Sequence, residues 1–195
     1  MIVSQGFVWA HIPKTGGDAT ATMIARVPRL VLLSDHLRDN AKHLPFAERR
    51  GSIEGKLLVA NIRRLPDWAL SHARHVERFG TFPDYVPAGR QSPDAVASRS
   101  TADELLDLIV GEYEVDRWIR QEHLQDDLVG FLREVAGLTA EEEAAVRSVG
   151  RVNDTRSRLE RVRRRSARRF FSPAQADALY RNNPRWAAIE RRVYG

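Results

Sequence analysis

The chain has 195 residues, a net charge of +5 and no cysteine, so it has the length of one domain, and disulfides and thiolate metal sites are excluded. No run approaches the roughly eighteen apolar residues of a membrane-spanning helix. The opening Met-Ile-Val-Ser-Gln has neither the charged nor the apolar region of a signal peptide, so a cytoplasmic protein without a membrane partner is expected. The basic residues are almost all arginine, 28 against only Lys14, Lys42 and Lys56.

In chain order, apolar runs bounded by turn residues predict strands over 6–12, 29–34, 57–63 and 116–121. Helical periodicity predicts helices over 18–27, 38–50, 66–78, 102–112, 123–136, 140–149, 157–169, 173–182 and 185–193. Thr139 with Glu142 has the spacing of a capping box, and Ser172-Pro173 that of an N-cap followed by proline in the first turn. Residues 80–100, rich in Pro, Gly and Ser, are expected to form a long irregular stretch and are assigned to an acceptor site. Alternating strands and helices imply a single α/β domain over 1–195, with a mainly parallel central sheet flanked by helices.

Residues 7 to 20 carry the most information. Phe7 to Ile12 is an apolar run of strand length, Pro13 ends it, Lys14-Thr15-Gly16-Gly17 forms a tight loop, and a helix follows. A strand that feeds a glycine loop into a helix N-terminus binds anions, because backbone N–H groups approach the ligand and the helix dipole favours negative charge. It is not the nucleoside-triphosphate loop G-x-x-x-x-G-K-[ST], in which lysine follows the glycines; here lysine precedes them.

The order His11-Ile12-Pro13-Lys14-Thr15-Gly16-Gly17 resembles the 5′-phosphosulfate loop of sulfotransferases that use 3′-phosphoadenylyl sulfate (PAPS), and most closely the carbohydrate and bacterial branch, where H-I-P-K-T-G-G is followed by Thr or Ser. The resemblance implies a P-loop-like three-layer fold. It also implies that the loop from Lys14 through Thr15, Gly16, Gly17, Asp18, Ala19 and Thr20 holds the phosphosulfate. Asp18 departs from the pattern: a carboxylate suits the helix dipole but repels phosphosulfate if it points inward, and Thr20 or Thr22 would have to replace the missing hydroxyl.

A second element supports the resemblance. Leu57 to Ile62 reads as a buried strand, Arg63 follows it, and Pro66 opens a helix carrying Trp68, Leu70 and Ser71. Arg63 and Ser71 have the spacing of the family's R-x-P-x-x-R-x-x-S, whose arginine and serine grip the 3′-phosphate. A guanidinium fork at a strand end and a hydroxyl a turn and a half into the next helix suit one phosphate. Proline falls one position late, at Pro66, and, counted from that proline, Ala69 stands where the pattern has a second arginine.

The acceptor must lose a proton, and histidine titrates near working pH. Lys42-His43-Leu44-Pro45 resembles a K-H-L-P stretch of bacterial members, so His43 is the expected base and His36 the second choice. His11 is expected to orient the loop and His123 to be structural. His72 and His75 lie one helical turn apart without a third ligand, so no metal is expected. Trp118 to Leu124 resembles the family's late strand, with Arg120 and Glu122 as a structural ion pair. Val152-Asn153 resembles a segment before its final lid, and the arginines between Arg151 and Arg169 form a basic stripe.

The resemblance implies in-line transfer of a sulfuryl group from PAPS to a hydroxyl or amine of a small-molecule or carbohydrate acceptor, leaving the product PAP. Two other readings stand beside it. One is a P-loop-like phosphotransferase or kinase. The other is a non-catalytic arginine-rich protein that binds nucleotide or nucleic acid, which would show steep salt dependence.

Overall fold

The structure, a computed structural model, describes residues 1–35, 42–80, 89–99, 101–150, 152 and 166–195. The chain divides into two compact units, one of Met1–Ile62 with Leu105–Thr155, the other of Arg63–Glu104 with Arg156–Gly195.

The first unit contains a five-stranded mixed sheet flanked by helices. Its strands are β1 (Ile2–Val3), β2 (Phe7–Ala10), β3 (Leu33–Ser34), β4 (Leu57–Ile62) and β5 (Arg117–Arg120), in the order β3-β1-β2-β4-β5. The sheet is not mainly parallel as expected. β2–β4 and β4–β5 pair parallel, but β1 pairs antiparallel with both β2 and β3. The cause is local: Ser4-Gln5-Gly6 turns the chain, Ser4 N–H donates to Phe7 O at 2.8 Å, and a tight hairpin forces antiparallel strands. Because β1 alone runs the other way, the carboxyl ends of β2, β3, β4 and β5 face one edge.

The helices of this unit are α1 (Gly17–Ile24), α2 (Arg50–Ile53), α6 (Leu124–Ala136), α7 (Ala140–Arg147) and most of α5 (Thr101–Ile109). One sheet face presents Ile2, Phe7, Trp9, Val59 and Ile119 to Ile24 of α1, Leu128 and Phe131 of α6 and Val146 of α7, all buried. These residues alternate along each strand, as the two-residue period of a strand requires. Thr139 caps α7 in the expected capping box.

Two expected elements are shorter than their sequence suggests. Strand 29–34 is reduced to Leu33–Ser34, because Pro28 opens a 3₁₀ turn over Pro28–Leu30. Of helix 38–50, residues 38–41 lie outside the described residues; Lys42 and His43 form a turn, and Phe46–Arg49 form a 3₁₀ turn before α2. Pro45 is extended (φ −62°, ψ 154°), and a proline disfavours helix at the residue before it.

The second unit is helical: α3 (Leu65–Phe79), α4 (Pro93–Ala97), the start of α5, α8 (Ala167–Phe170), α9 (Pro173–Asn182) and α10 (Pro184–Tyr194). Side chains from distant segments cap these helices. Asn183 Oδ1 accepts the Ala102 and Asp103 amides at the start of α5, at 3.0 and 3.2 Å. Asp103 in turn accepts the Arg185 and Trp186 amides at the start of α10, at 2.9 and 2.8 Å. The buried Glu190 of α10 accepts the Leu65 amide at the start of α3, at 2.8 Å. Each acceptor satisfies a donor that a helix N-terminus leaves without an intrahelical partner. Ser172 caps α9 as expected, in a full box with Gln175. The expected irregular stretch 80–100 contains α4, capped by Ser92 Oγ; residues 81–88 and 100 lie outside the described residues, as do 157–165 of the helix expected over 157–169.

Candidate functional site

The loop between β2 and α1 is built from its own sequence. Lys14 takes a left-handed conformation (φ 67°), as does Gly16 (φ 92°), which is the N-cap of α1. Glycine adopts such a φ at no steric cost; lysine does so at some cost. Thr15 Oγ donates to Ile12 O at 2.7 Å and closes the turn from inside. The N-cap residue has no side chain and so offers no cap of its own to the first amides of α1.

A buried network lies beneath the loop. Asn61 of β4, fully buried, accepts the Trp9 indole N–H at 2.7 Å. Its amide nitrogen donates to Thr20 Oγ at 2.7 Å and to Thr15 O at 3.2 Å. The Trp9 N–H can only donate, so Asn61 Oδ1 must face it and Asn61 Nδ2 must face the loop. Thr20 is buried and donates its hydroxyl to Gly16 O at 3.3 Å, while Thr22 Oγ donates to Asp18 O at 2.8 Å. Thr20 and Thr22 thus each bond the backbone of α1 through their hydroxyls.

His11 is buried and stacks on Trp9 with ring centroids 5.5 Å apart. Its ring fills the space over Gly17: a Cβ there would lie 1.9 Å from His11 Cδ2. His43 comes to the same place from the segment after β3. Its Nδ1 donates to His11 O at 2.9 Å, and the two imidazoles lie 4.4 Å apart. The bond assigns the tautomer, with the proton on Nδ1 and the lone pair on Nε2. Burial outweighs the accepting carbonyl and holds the His43 pKa below its ordinary 6.5, so the ring is neutral at neutral pH.

Asp18, on the first turn of α1, has its carboxylate 3.7 Å from the Lys42 ammonium, and Ala19 follows it half-buried. The Lys42 segment is anchored through Asp35, whose carboxylate receives two bonds from Arg49 and whose amide donates to Met1 O at 3.0 Å. The first unit thus brings together Lys14 to Thr20 and His43. Sequence reasoning did not single out Asn61 or Trp9 for the site. The one signal was a lone polar residue in the apolar run Leu57 to Ile62.

In the second unit, Arg63 stands two residues before α3, and its carbonyl accepts the Trp186 indole N–H at 2.9 Å. Ser71 is half-buried on α3, about a turn and a half in. His72 stacks on Trp68 at 4.9 Å and His75 lies 5.1 Å from Phe79. No group of three or more potential metal ligands occurs among the described residues.

In the first unit, Arg120 pairs with Asp127 through two guanidinium bonds of 2.8 Å. Asp127 lies one helical turn into α6, with its carboxylate facing the end of β5. His36, Asn153 and the arginines from Arg151 to Arg165 lie outside the described residues. No described helix is long and apolar enough to cross a membrane. No family model matches the chain, and no curated protein matches it.

Proposed function

We propose that the chain is a PAPS-dependent sulfotransferase acting on a hydroxyl or amine of a small-molecule or carbohydrate acceptor, in the cytoplasm, on a P-loop-like three-layer fold. The observation that carries this reading is the bond from His43 to His11. Two segments that the same resemblance assigns, one to anion binding and one to proton abstraction, meet there across 32 residues.

The residues present suit the chemistry. PAPS supplies the sulfuryl group, which passes to the acceptor as the sulfur–oxygen bond to the 5′-phosphate breaks and its electron pair stays with PAP. The amides at the start of α1 and the Lys14 ammonium offset charge growing on that oxygen, the positioned electrostatic help of an oxyanion site. His43 Nε2 takes the acceptor proton, and its depressed pKa keeps it unprotonated for that task. Lys42 offsets Asp18 and so reduces repulsion of an anion. On the resemblance alone, Arg63 and Ser71 are assigned to the 3′-phosphate.

The phosphotransferase reading is weaker. Lys14 precedes the glycines instead of following them, the reverse of the nucleoside-triphosphate loop. Thermal unfolding with ligands tests the choice. PAP at 100 times its dissociation constant adds about 2.7 kcal/mol of stability, and ATP with Mg²⁺ adds far less. No shift at millimolar PAP rejects the proposal; a large Mg²⁺-dependent ATP shift favours the phosphotransferase.

A further inference from the structure

We propose that Asn61 is the positioning residue that aims the amides of the Lys14 loop at an oxyanion; the proposal rests on the reading of that loop as the phosphosulfate site. A trans peptide is planar, with its C=O and N–H pointing opposite ways. Asn61 Nδ2 holds the Thr15 carbonyl inward at 3.2 Å, so the Gly16 N–H of the same peptide points away from the core. Asn61 also holds Thr20 Oγ at 2.7 Å, and Thr20 holds the Gly16 carbonyl through its hydroxyl and, at 3.1 Å, its amide. The Gly17 N–H therefore points the same way. Left-handed Gly16 followed by helical Gly17 is the backbone sequence of an anion nest.

One carboxamide thus sets both peptide planes, and the Trp9 indole fixes which way that carboxamide faces. Both of its amide hydrogens are used on the loop and its oxygen is used on Trp9. Any substitution leaves a buried group unsatisfied or a peptide free to rotate. An aspartate is the sharpest case: it keeps the acceptor for Trp9 but turns an acceptor toward the Thr15 carbonyl.

The test uses the full chain, labelled with ¹⁵N and titrated with inorganic pyrophosphate and with PAP, following the Gly16 and Gly17 amide resonances. In the wild type both resonances shift. In Asn61→Ala and Asn61→Asp the affinity for either ligand falls about tenfold or more, the scale of a lost buried hydrogen-bond partner. Trp9→Phe, which removes the indole N–H together with part of a buried ring, lowers both affinities less and serves if the Asn61 variants do not fold, with the packing loss judged against the core truncation that follows. Val59→Ala, a core truncation in the same strand, lowers the melting temperature and leaves both affinities unchanged, which separates positioning from stability.

Asn61 or Trp9 variants that bind both ligands like the wild type overturn the proposal, while PAP binding itself keeps the sulfotransferase reading. Pyrophosphate binding without PAP binding ends that reading, and Asn61 is then judged on pyrophosphate. Wild-type Gly16 and Gly17 resonances that answer to neither ligand overturn both.

Discussion

His43 donates its Nδ1 proton to the carbonyl oxygen of His11 at 2.9 Å, and the ring of His11 occupies the space that a side chain at Gly17 would need. The proposed base is therefore tied to the chain just after β2, and in the proposed reaction Nε2 is the nitrogen that would take the acceptor proton.

This sets the pH dependence. Burial lowers the His43 pKa below 6.5, so the protonated, inactive form accumulates only at lower pH. With an acceptor in hand, the acidic limb of kcat/KM is expected to fall below pH 6.5, and His43→Ala to reduce turnover roughly 10²–10⁴-fold and remove that limb. PAP affinity should change little. A variant with wild-type turnover rejects His43 as the base.

Gly17→Ala should be costly. The added methyl meets a ring that is itself buried against Trp9 and His43, and overpacking of this kind costs about 1–3 kcal/mol. Adding His11→Ala removes the clash, so the double variant should lose less than the sum of the singles. Gly130→Ala, in α6 with no atom within 4 Å of the new Cβ, should instead stabilise by about 0.5–1 kcal/mol. Equal outcomes at Gly17 and Gly130, read from denaturant midpoints, would show that the His11 ring yields.

Arg63→Ala should weaken PAP by roughly 1.5–3 kcal/mol, the worth of a charge-assisted bond. Adenosine 5′-phosphosulfate, which lacks the 3′-phosphate, should be affected much less. The Trp186 bond to the Arg63 carbonyl is untouched by this substitution. Calorimetry with both ligands decides, and equal losses remove Arg63 from that role.

Acid should loosen the first unit at α7. Glu142 receives two bonds from Arg29, at 2.6 and 2.7 Å, and its pKa falls to about 2 from 4.5. A depressed carboxylate stabilises the fold fully above its unfolded pKa and loses that contribution as pH drops through the folded one. The stability advantage of wild type over Glu142→Gln should be constant above pH 5 and shrink toward pH 2. Thr139→Ala, which removes the other half of the box, should cost about 1 kcal/mol. A pH-independent gap for Glu142→Gln would contradict the assigned pair.

Where local chemistry decides, the sequence was readable. The capping residues Thr139 and Ser172 mark helix starts that the structure keeps, and Leu57 to Ile62 is a strand as its apolar run indicates. Strands of two residues carry no period, so Ile2–Val3 and the hairpin it makes were invisible. Helix α4 had a signal, Ser92 followed by Pro93, that resembles Ser172-Pro173 but opens only five residues. The loop and His43 were legible as separate motifs. Asn61 was not, because its partners Trp9 and Thr20 lie 52 and 41 residues away, and a contact of that range leaves no local trace.

The exchange of caps in the second unit makes its two chain segments conditional on each other. Asn183 supplies the start of α5 and Asp103 supplies the start of α10, while Glu190 supplies that of α3. Helices that borrow their first hydrogen bonds from one another order together or not at all. The protein is thus suited to being split: residues 1–155 and 156–195, made as separate polypeptides, should find each other and reconstitute, whereas Asn183→Ala with Asp103→Ala should abolish complementation without touching the loop that follows β2.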